Sequence, residues 1–255
     1  MNPRDPGQDP AIQTAGLIKK YRLADRPALT GLDLTIGRGE FFGLLGPNGA
    51  GKTTILSILC GLRAPDGGTV RILGMEYRRQ QRRIQERIGI VPQEIALYDQ
   101  LTARENLIIF GRLLGLGGGR LKERTGYCLE IAQLHERADH RVASFSGGMK
   151  RRLNLVIGLL NAPSILFLDE PTVGIDTQSR HLIHRQLQGL HAQGTTLLYT
   201  THYMEEAQEL CSTIAILDEG RILRQGPPAR LLQESACHSL EELFLGLTGK
   251  QIRDI

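Results

Sequence analysis

A glycine-rich stretch at residues 46–53 has the residue types and spacing to bind a nucleoside triphosphate. It reads Gly-Pro-Asn-Gly-Ala-Gly-Lys-Thr, and a second threonine follows. Glycines let the backbone curl until successive N–H groups point at one spot, and a following helix N-terminus adds partial positive charge. The Lys52 ammonium can then reach the β- and γ-phosphates, and the Thr53 hydroxyl can ligate Mg²⁺. The predicted nucleotide-binding residues of this loop are Gly46, Pro47, Asn48, Gly49, Ala50, Gly51, Lys52, Thr53 and Thr54.

The segments on either side of this loop follow the order strand, loop, helix that a P-loop requires. Phe41–Leu45 is a short apolar run that predicts a buried strand, and residues 55–60 predict a helix that ends at Gly61. A chance match in a glycine-rich chain is the alternative explanation, and the correct flanks argue against it. We therefore expect this chain to bind a nucleoside triphosphate.

A second apolar run ends in two adjacent carboxylates. Residues 165–168 read Ile-Leu-Phe-Leu, as a strand buried on both faces of a parallel sheet does, and Asp169 and Glu170 follow. Asp169 can hold the Mg²⁺ whose other ligand is Thr53. Glu170 can then orient and polarise the attacking water. An acidic pair after a strand can be only a solvated turn, but its place in a chain with a P-loop favours a catalytic pair.

A small hydroxyl and two glycines precede a predicted helix further along the chain. Ser146, Gly147 and Gly148 stand directly before the helix predicted at residues 150–160. Such an N-terminus can form a second anion site, although Ser-Gly-Gly alone is more often a plain helix cap. Placed between the P-loop and Glu170, the motif resembles the signature of ATP-binding cassette (ABC) ATPases.

Other residues resemble the remaining motifs of that family, in the same order. Tyr21 matches the aromatic residue that stacks on adenine, and Gln93 matches the Q-loop. Asp176 ends a stretch that matches the D-loop, and His202 matches the switch histidine. The resemblance covers residues 12–247 and implies that ATP is the nucleotide and Mg²⁺ its cofactor.

The resemblance also implies a role for each matching residue. Glu170 would be the general base, His202 would contact the γ-phosphate, and Gln93 would assist both catalysis and metal binding. Thr53 and Asp169 would complete the Mg²⁺ shell together with Gln93. Lys52 and the loop amides would hold the phosphates.

The partners implied by the resemblance are a second ATPase subunit and integral membrane transporter subunits. In the head-to-tail homodimer of the family, Ser146, Gly147 and Gly148 of one protomer would close over ATP held by the other, and Asp176 of the D-loop would also belong to the ATP site. The chain would lie at the cytoplasmic face of the cell membrane. Phe145, Met149 and Val173 replace the usual Leu, Gln and Ser of these motifs. These variants and the C-terminal tail resemble ATPases of ABC-2 type exporters, which include drug and antibiotic exporters.

The fold implied is α/β, a RecA-like P-loop NTPase core with an antiparallel β edge and an inserted α-helical subdomain. Residues 12–21 look like an edge strand, and the periodicity is helical from 102 to about 160, with two helices meeting at residues 115–119. The predicted domains are a flexible tail at 1–11, the ATPase domain at 12–247, and a C-terminal helix and tail at 235–255. Within the ATPase domain the core is 12–93 and 161–234, and the helical subdomain is about 94–160.

Composition and charge bound the alternatives. The chain has 255 residues and a net charge of +4, too weak an excess to predict a nucleic-acid partner. Its most apolar stretch, residues 153–168, holds two asparagines and a proline and is too short to span a bilayer. A soluble ABC-family ATPase acting on ribosomes or DNA is the main alternative to a transporter subunit. A GTPase is disfavoured because no Asn-Lys-x-Asp guanine motif is present.

Overall fold

The computed structural model describes residues 9–249, and the chain divides into two compact units. The first unit comprises the described residues up to Ile84 together with those from His202 onwards, and the second is Gln85–Thr201. Residues 1–8 of the predicted N-terminal tail and residues 250–255 of the predicted C-terminal tail lie outside the described residues. The boundaries predicted for the core and the helical subdomain stay a prediction.

Strands and helices are interspersed along the described chain, as the predicted α/β class requires. The strands are β1 (Ile12–Lys19), β2 (Leu29–Ile36), β3 (Phe41–Leu45), β4 (Gly67–Ile72), β5 (Met75–Glu76), β6 (Ile88–Val91), β7 (Ile165–Asp169), β8 (Thr196–Thr201), β9 (Thr213–Asp218) and β10 (Arg221–Gly226). The helices are α1 (Lys52–Leu59), α2 (Tyr77–Gln85), α3 (Ala103–Leu113), α4 (Gly118–Ile131), α5 (Gly147–Ile157), α6 (Thr177–Ala192), α7 (Met204–Leu210), α8 (Pro228–Ser235) and α9 (Leu240–Thr248).

The first unit contains an antiparallel sheet in which β1 is an interior strand. The strand order is β2-β1-β4-β5, so β1 pairs with β2 on one side and with β4 on the other. The prediction of an edge strand at residues 12–21 is therefore wrong. The basic residues at its end were consistent with a protected edge, but the Lys19 ammonium instead lies 2.9 Å from the Asp66 carboxylate beside β4.

The strand before the P-loop also belongs to the first unit. All five residues of β3 are buried, and β3 pairs in parallel with β9 from Phe42 to Leu45. A continuous apolar run is what a strand covered on both faces needs. The helix α1 begins at Lys52, inside the predicted P-loop, so the loop lies at the carboxyl end of β3 and at the N-terminus of α1.

Three parallel strands form the sheet of the second unit. They pair in the order β8-β7-β6, with Val91 opposite Leu168 and Asp169 opposite Thr200. The carboxyl ends of parallel strands meet at one edge of a sheet, where ligands bind in open α/β folds. Gln93, Asp169 and Glu170 follow β6 and β7 at this edge.

The helices of the second unit follow the predicted periodicity. Thr102 and Glu105 form a capping box at the start of α3, and Ser146 caps α5. The junction predicted at residues 115–119 is confirmed, because α3 ends at Leu113 and α4 begins at Gly118. Within residues 9–249 no helix is both long and apolar enough to cross a membrane.

Candidate functional site

Two P-loop glycines of the first unit stand where there is no room for a side chain, and a third has a left-handed backbone. A Cβ added to Gly46 would lie 2.3 Å from the carbonyl oxygen of Leu217 in β9. Gly51 has a φ of +112° and a Cβ there would lie 2.8 Å from the Ala28 carbonyl oxygen. Gly49 has a φ of +82°, in the left-handed region that L-residues rarely adopt. The loop is thereby held in the curled conformation that a phosphate cradle needs.

Lys52 is folded into this loop. Its side chain is only 5% exposed, and its ammonium donates to the carbonyl oxygens of Gly46 at 2.7 Å and Pro47 at 3.2 Å. A buried ammonium needs such acceptors to offset the loss of water. Thr53, the next residue, is exposed at the first turn of α1. The glycine cradle, the inward-pointing cation and the helix N-terminus fit a polyphosphate.

Tyr21 is linked to the first turn of α1 through Thr54. The Tyr21 and Thr54 hydroxyl oxygens are 3.1 Å apart, and the Arg63 guanidinium lies 5.1 Å from the centroid of the Tyr21 ring. Because the Thr54 hydroxyl is engaged by Tyr21, a phosphate contact by Thr54 would use its backbone N–H. The stacking of Tyr21 on adenine stays a prediction.

The second unit brings Gln93 and Glu170 together. The Gln93 side-chain amide donates to a Glu170 carboxylate oxygen at 3.5 Å, and Glu170 is 5% exposed. The Glu170 backbone has a φ of +45°, and its N–H donates to the carbonyl and hydroxyl oxygens of Thr200 at 3.2 and 3.0 Å. The Thr200 hydroxyl also donates to the Asp169 carboxylate at 2.7 Å. Thr200, which the sequence did not single out, thus contacts the Asp169 carboxylate and fixes the Glu170 backbone.

Arg151 is a second residue that sequence reasoning missed. It is 2% exposed, and its guanidinium donates to four backbone carbonyl oxygens: those of Pro92, Gln93, Glu170 and Pro171. Burial lowers the pKa of this guanidinium below its usual value. A signal was present in the sequence, because Arg151 falls three residues after Gly148 and four before Leu155 on the buried face of α5. A charged residue on such a face needs internal partners.

The predicted signature and D-loop residues meet at the start of α5 and α6. The Ser146 hydroxyl accepts from the Met149 N–H at 3.2 Å, so it caps α5. A Cβ on Gly148 would lie 1.9 Å from the Ser179 hydroxyl and 3.1 Å from the Asp176 carboxylate. The Asp176 carboxylate caps α6 by accepting from the Ser179 N–H at 2.9 Å, and this bond lowers its pKa. A glycine at 148 is what allows the two helix starts to approach.

His202 belongs to the first unit and follows β8 in the chain. Its ring is half-buried, and its centroid lies 4.2 Å from that of Tyr203, with a 42° angle between the ring planes. Its contact with a γ-phosphate stays a prediction, as do the nucleotide contacts of the other site residues.

Comparison with known proteins agrees with these motifs. Residues 29–173 match the family model described as ABC transporter. Nod factor export ATP-binding protein I from Rhizobium sp. (strain N33) is 44% identical over 236 residues, which is 92% of this chain and 77% of that protein. A solved ATP-binding subunit of an ABC transporter has a TM-score of 0.83 and 28% identity, covering 93% of this chain and 99% of its own.

A dimeric ATP-binding cassette solved in a post-hydrolysis state with ADP and Pi is also similar. Its TM-score is 0.76 at 28% identity, and the match covers 85% of this chain and 98% of the other. The α/β P-loop fold expected from the sequence is therefore confirmed.

Proposed function

The chain belongs to the ABC transporter family of ATP-binding, ATP-hydrolysing proteins, and from this premise we propose that it powers an exporter whose membrane-spanning part is formed by separate subunits. The observation that carries the proposal is the 44% identity over 92% of the chain to a protein named for export. The P-loop, whose glycines and Lys52 form a phosphate cradle, supports the ATPase part.

Each site residue has a proposed role in hydrolysis. Mg²⁺ would neutralise charge on the transferred phosphoryl group. Thr53, Gln93 and Asp169 would supply oxygen atoms to the Mg²⁺ shell, because Mg²⁺ prefers oxygen ligands. Lys52 would exchange its carbonyl acceptors for β- and γ-phosphate oxygens. Such an exchange conserves hydrogen bonds and replaces neutral acceptors by anionic ones.

Glu170 would accept the proton of the attacking water. Its carboxylate is held by Gln93 at 3.5 Å, and its backbone is fixed by Thr200. A base must lie within hydrogen-bond reach of the proton that it abstracts, so a fixed carboxylate favours this role. His202 would contact the γ-phosphate, and Tyr21 would stack on the adenine.

We also propose a head-to-tail homodimer at the cytoplasmic face of the membrane. Ser146, Gly147 and Gly148 would close over ATP bound by the partner, with Asp176 beside them. Gly147 is exposed, and a Cβ there would meet no atom within 4 Å. The start of α5 therefore has room for an incoming phosphate. The similar cassette solved as a dimer supports this assembly.

The loop after β6 supports a contact with membrane subunits. Gln93 is exposed, and close behind it in the loop Ile95 and Tyr98 are 41% and 50% exposed. Exposed apolar side chains beside a nucleotide-sensing glutamine provide a surface on which a partner can register nucleotide state.

Transport in reconstituted vesicles tests the proposal. Gln93→Ala should reduce ATP hydrolysis less than Glu170→Gln does, because the base and Lys52 remain. It should reduce transport more than hydrolysis, so that more ATP is consumed per substrate moved. An unchanged ratio would mean that Gln93 is only a nucleotide ligand. If ATP is hydrolysed but no membrane protein co-purifies, the soluble ABC ATPase becomes the better assignment.

A further inference from the structure

We infer that Arg151 is a positioning residue that holds the Gln93 loop and the backbone around Glu170 in one fixed arrangement. The inference rests on the proposed function, because it concerns how the groups that hydrolyse ATP are held. Arg151 itself would touch neither ATP nor the attacking water. It acts through the two residues whose carbonyl groups it binds.

The geometry of the four bonds carries the inference. The Arg151 Nε donates to the Pro171 carbonyl oxygen at 2.5 Å, and Nη2 donates to that of Glu170. Nη1 donates to the carbonyl oxygens of Gln93 and, at 3.4 Å, of Pro92. One side of the guanidinium therefore holds the turn after β7, and the other holds the loop after β6.

Only a guanidinium can make this set of bonds from one side chain. It is planar and rigid, with five N–H donors that point in fixed directions. A lysine ammonium has three donors on a single atom and cannot serve carbonyl groups on two sides. Arg151 therefore fixes the separation of two backbone segments, and with it the Gln93–Glu170 contact.

Two neighbouring side chains on α5 hold the same loop. The Asn154 amide donates to the Pro92 carbonyl oxygen, and its oxygen accepts from the Ala96 N–H, both at 3.3 Å. The Lys150 ammonium lies 2.8 Å from the Asp99 carboxylate. Both ends of the loop are thus attached to the helix that begins at the signature residues. A displacement of α5 would carry Gln93 and the Glu170 backbone with it.

The test compares ATP hydrolysis by the full chain and three variants. Arg151→Met keeps the length of the side chain and removes all four bonds, so kcat should fall by about 100-fold, the effect expected of roughly 1 Å misplacement. The KM for ATP should change by less than about threefold, because the P-loop residues that hold the phosphates are untouched. Arg151→Lys keeps the charge and some of the bonds, and kcat should fall by about tenfold.

Arg152→Met is the matched control. Arg152 is the next residue of α5 and also donates to a backbone carbonyl, that of Ala132 at 2.5 Å, but it contacts neither loop. Its kcat should stay within about twofold of the wild type, since the geometry of the hydrolytic groups is unchanged. An equal loss in both methionine variants would show that the effect is not particular to Arg151, and would overturn the inference.

A loop probe separates positioning from general destabilisation. The sequence has no tryptophan, so the indole introduced by Tyr98→Trp reports on the loop alone. Acrylamide quenching of this indole should rise with Arg151→Met and not with Arg152→Met. Unchanged quenching together with unchanged kcat would refute the inference. If Arg151→Met fails to fold, Arg151→Lys decides, and wild-type activity in that variant would also refute it.

The proposed function fails in a different way. If the wild type itself does not hydrolyse ATP, or if Lys52→Ala hydrolyses it normally, the ATPase assignment is wrong. If both behave as expected while Arg151→Lys and Arg151→Met match the wild type, only the positioning role is wrong.

Discussion

Replacing Glu170 by glutamine isolates the role of one carboxylate. The change keeps the shape of the side chain, and the amide oxygen can still accept from the Gln93 side chain, now 3.5 Å away. The backbone N–H and carbonyl groups of Glu170 bond Thr200 and Arg151 and so hold the turn after β7. The substitution leaves these backbone bonds in place. What is lost is the ability to take a proton from water.

The expected loss of hydrolysis follows from that single change. General-base catalysis contributes about 10²- to 10⁴-fold, which is about 2.7–5.5 kcal/mol of activation free energy. The fold should hardly respond, because removing a buried charge while keeping its shape leaves no unpaired ion. A change below about 1 kcal/mol would move the melting temperature by at most about 2–4 °C.

The assay measures phosphate release and assembly on the same sample. Glu170→Gln should bind ATP, release phosphate at least about 100 times more slowly than the wild type, and elute as an ATP-dependent dimer. Glu206→Gln is the control, since Glu206 on α7 is equally buried at 5% exposed and is not among the proposed site residues. Turnover within tenfold of the wild type would show that Glu170 is not the base. An elution volume insensitive to ATP would refute closure across two protomers.

Three further predictions follow from the first unit and the cysteines. Lys52→Ala removes a charged hydrogen bond to the phosphates, which costs about 2–3 kcal/mol. The Kd for ATP, measured by calorimetry, should therefore rise by about 30- to 150-fold. Gly46→Ala places a Cβ 2.3 Å from a β9 carbonyl oxygen, so it should lower both the melting temperature and the affinity for ATP. Gly31→Ala, at φ +82° in open space, should lower the melting temperature only. Burial raises the pKa of the Cys128 thiol to about 12. At pH 8 a thiol reagent should therefore label Cys237, which is half-buried, well before Cys128. Equal labelling rates would contradict this prediction.

The sequence predicted those parts of the site that depend on local pattern. The continuous apolar runs of β3 and β7 identified two buried strands, and the residues directly after them were the P-loop and the acidic pair. Parallel strands expose their carboxyl ends at one edge, and the residues after β6 and β7 lie there. The 3.5 Å contact of Gln93 with Glu170 is made at this edge.

The parts that were missed depend on pairing across the chain. Residues 12–21 were predicted to form an edge strand, but β1 pairs on both sides, and no local pattern records a second partner. Arg151 was missed because its carbonyl acceptors follow two strands distant in sequence. The helix α8 was not predicted, although Pro228 at its first turn is a favourable start.

Residues 239–242 read Ser-Leu-Glu-Glu, which has the spacing of a capping box, and the structure forms one half of it. The Ser239 hydroxyl accepts from the Glu242 N–H at 3.2 Å, as a capping box requires. The Glu242 carboxylate, however, accepts from the His238 N–H at 2.7 Å, one residue before the cap. The apolar face of α9 is buried, since Leu240, Leu243 and Phe244 are at most 3% exposed.

The backbone of Glu170 provides an argument for its role that is independent of its place in a motif. A φ of +45° is left-handed, and a residue with a Cβ adopts it at a cost of about 1–2 kcal/mol. Thr200 and Arg151 stabilise that conformation through the N–H and carbonyl groups of the residue. A glycine would accept the turn without the steric cost, but it has no carboxylate. Strain of this kind persists only where the surroundings enforce it. The surroundings therefore hold Glu170 in a costly backbone state that fixes where its carboxylate points, which is what a general base requires.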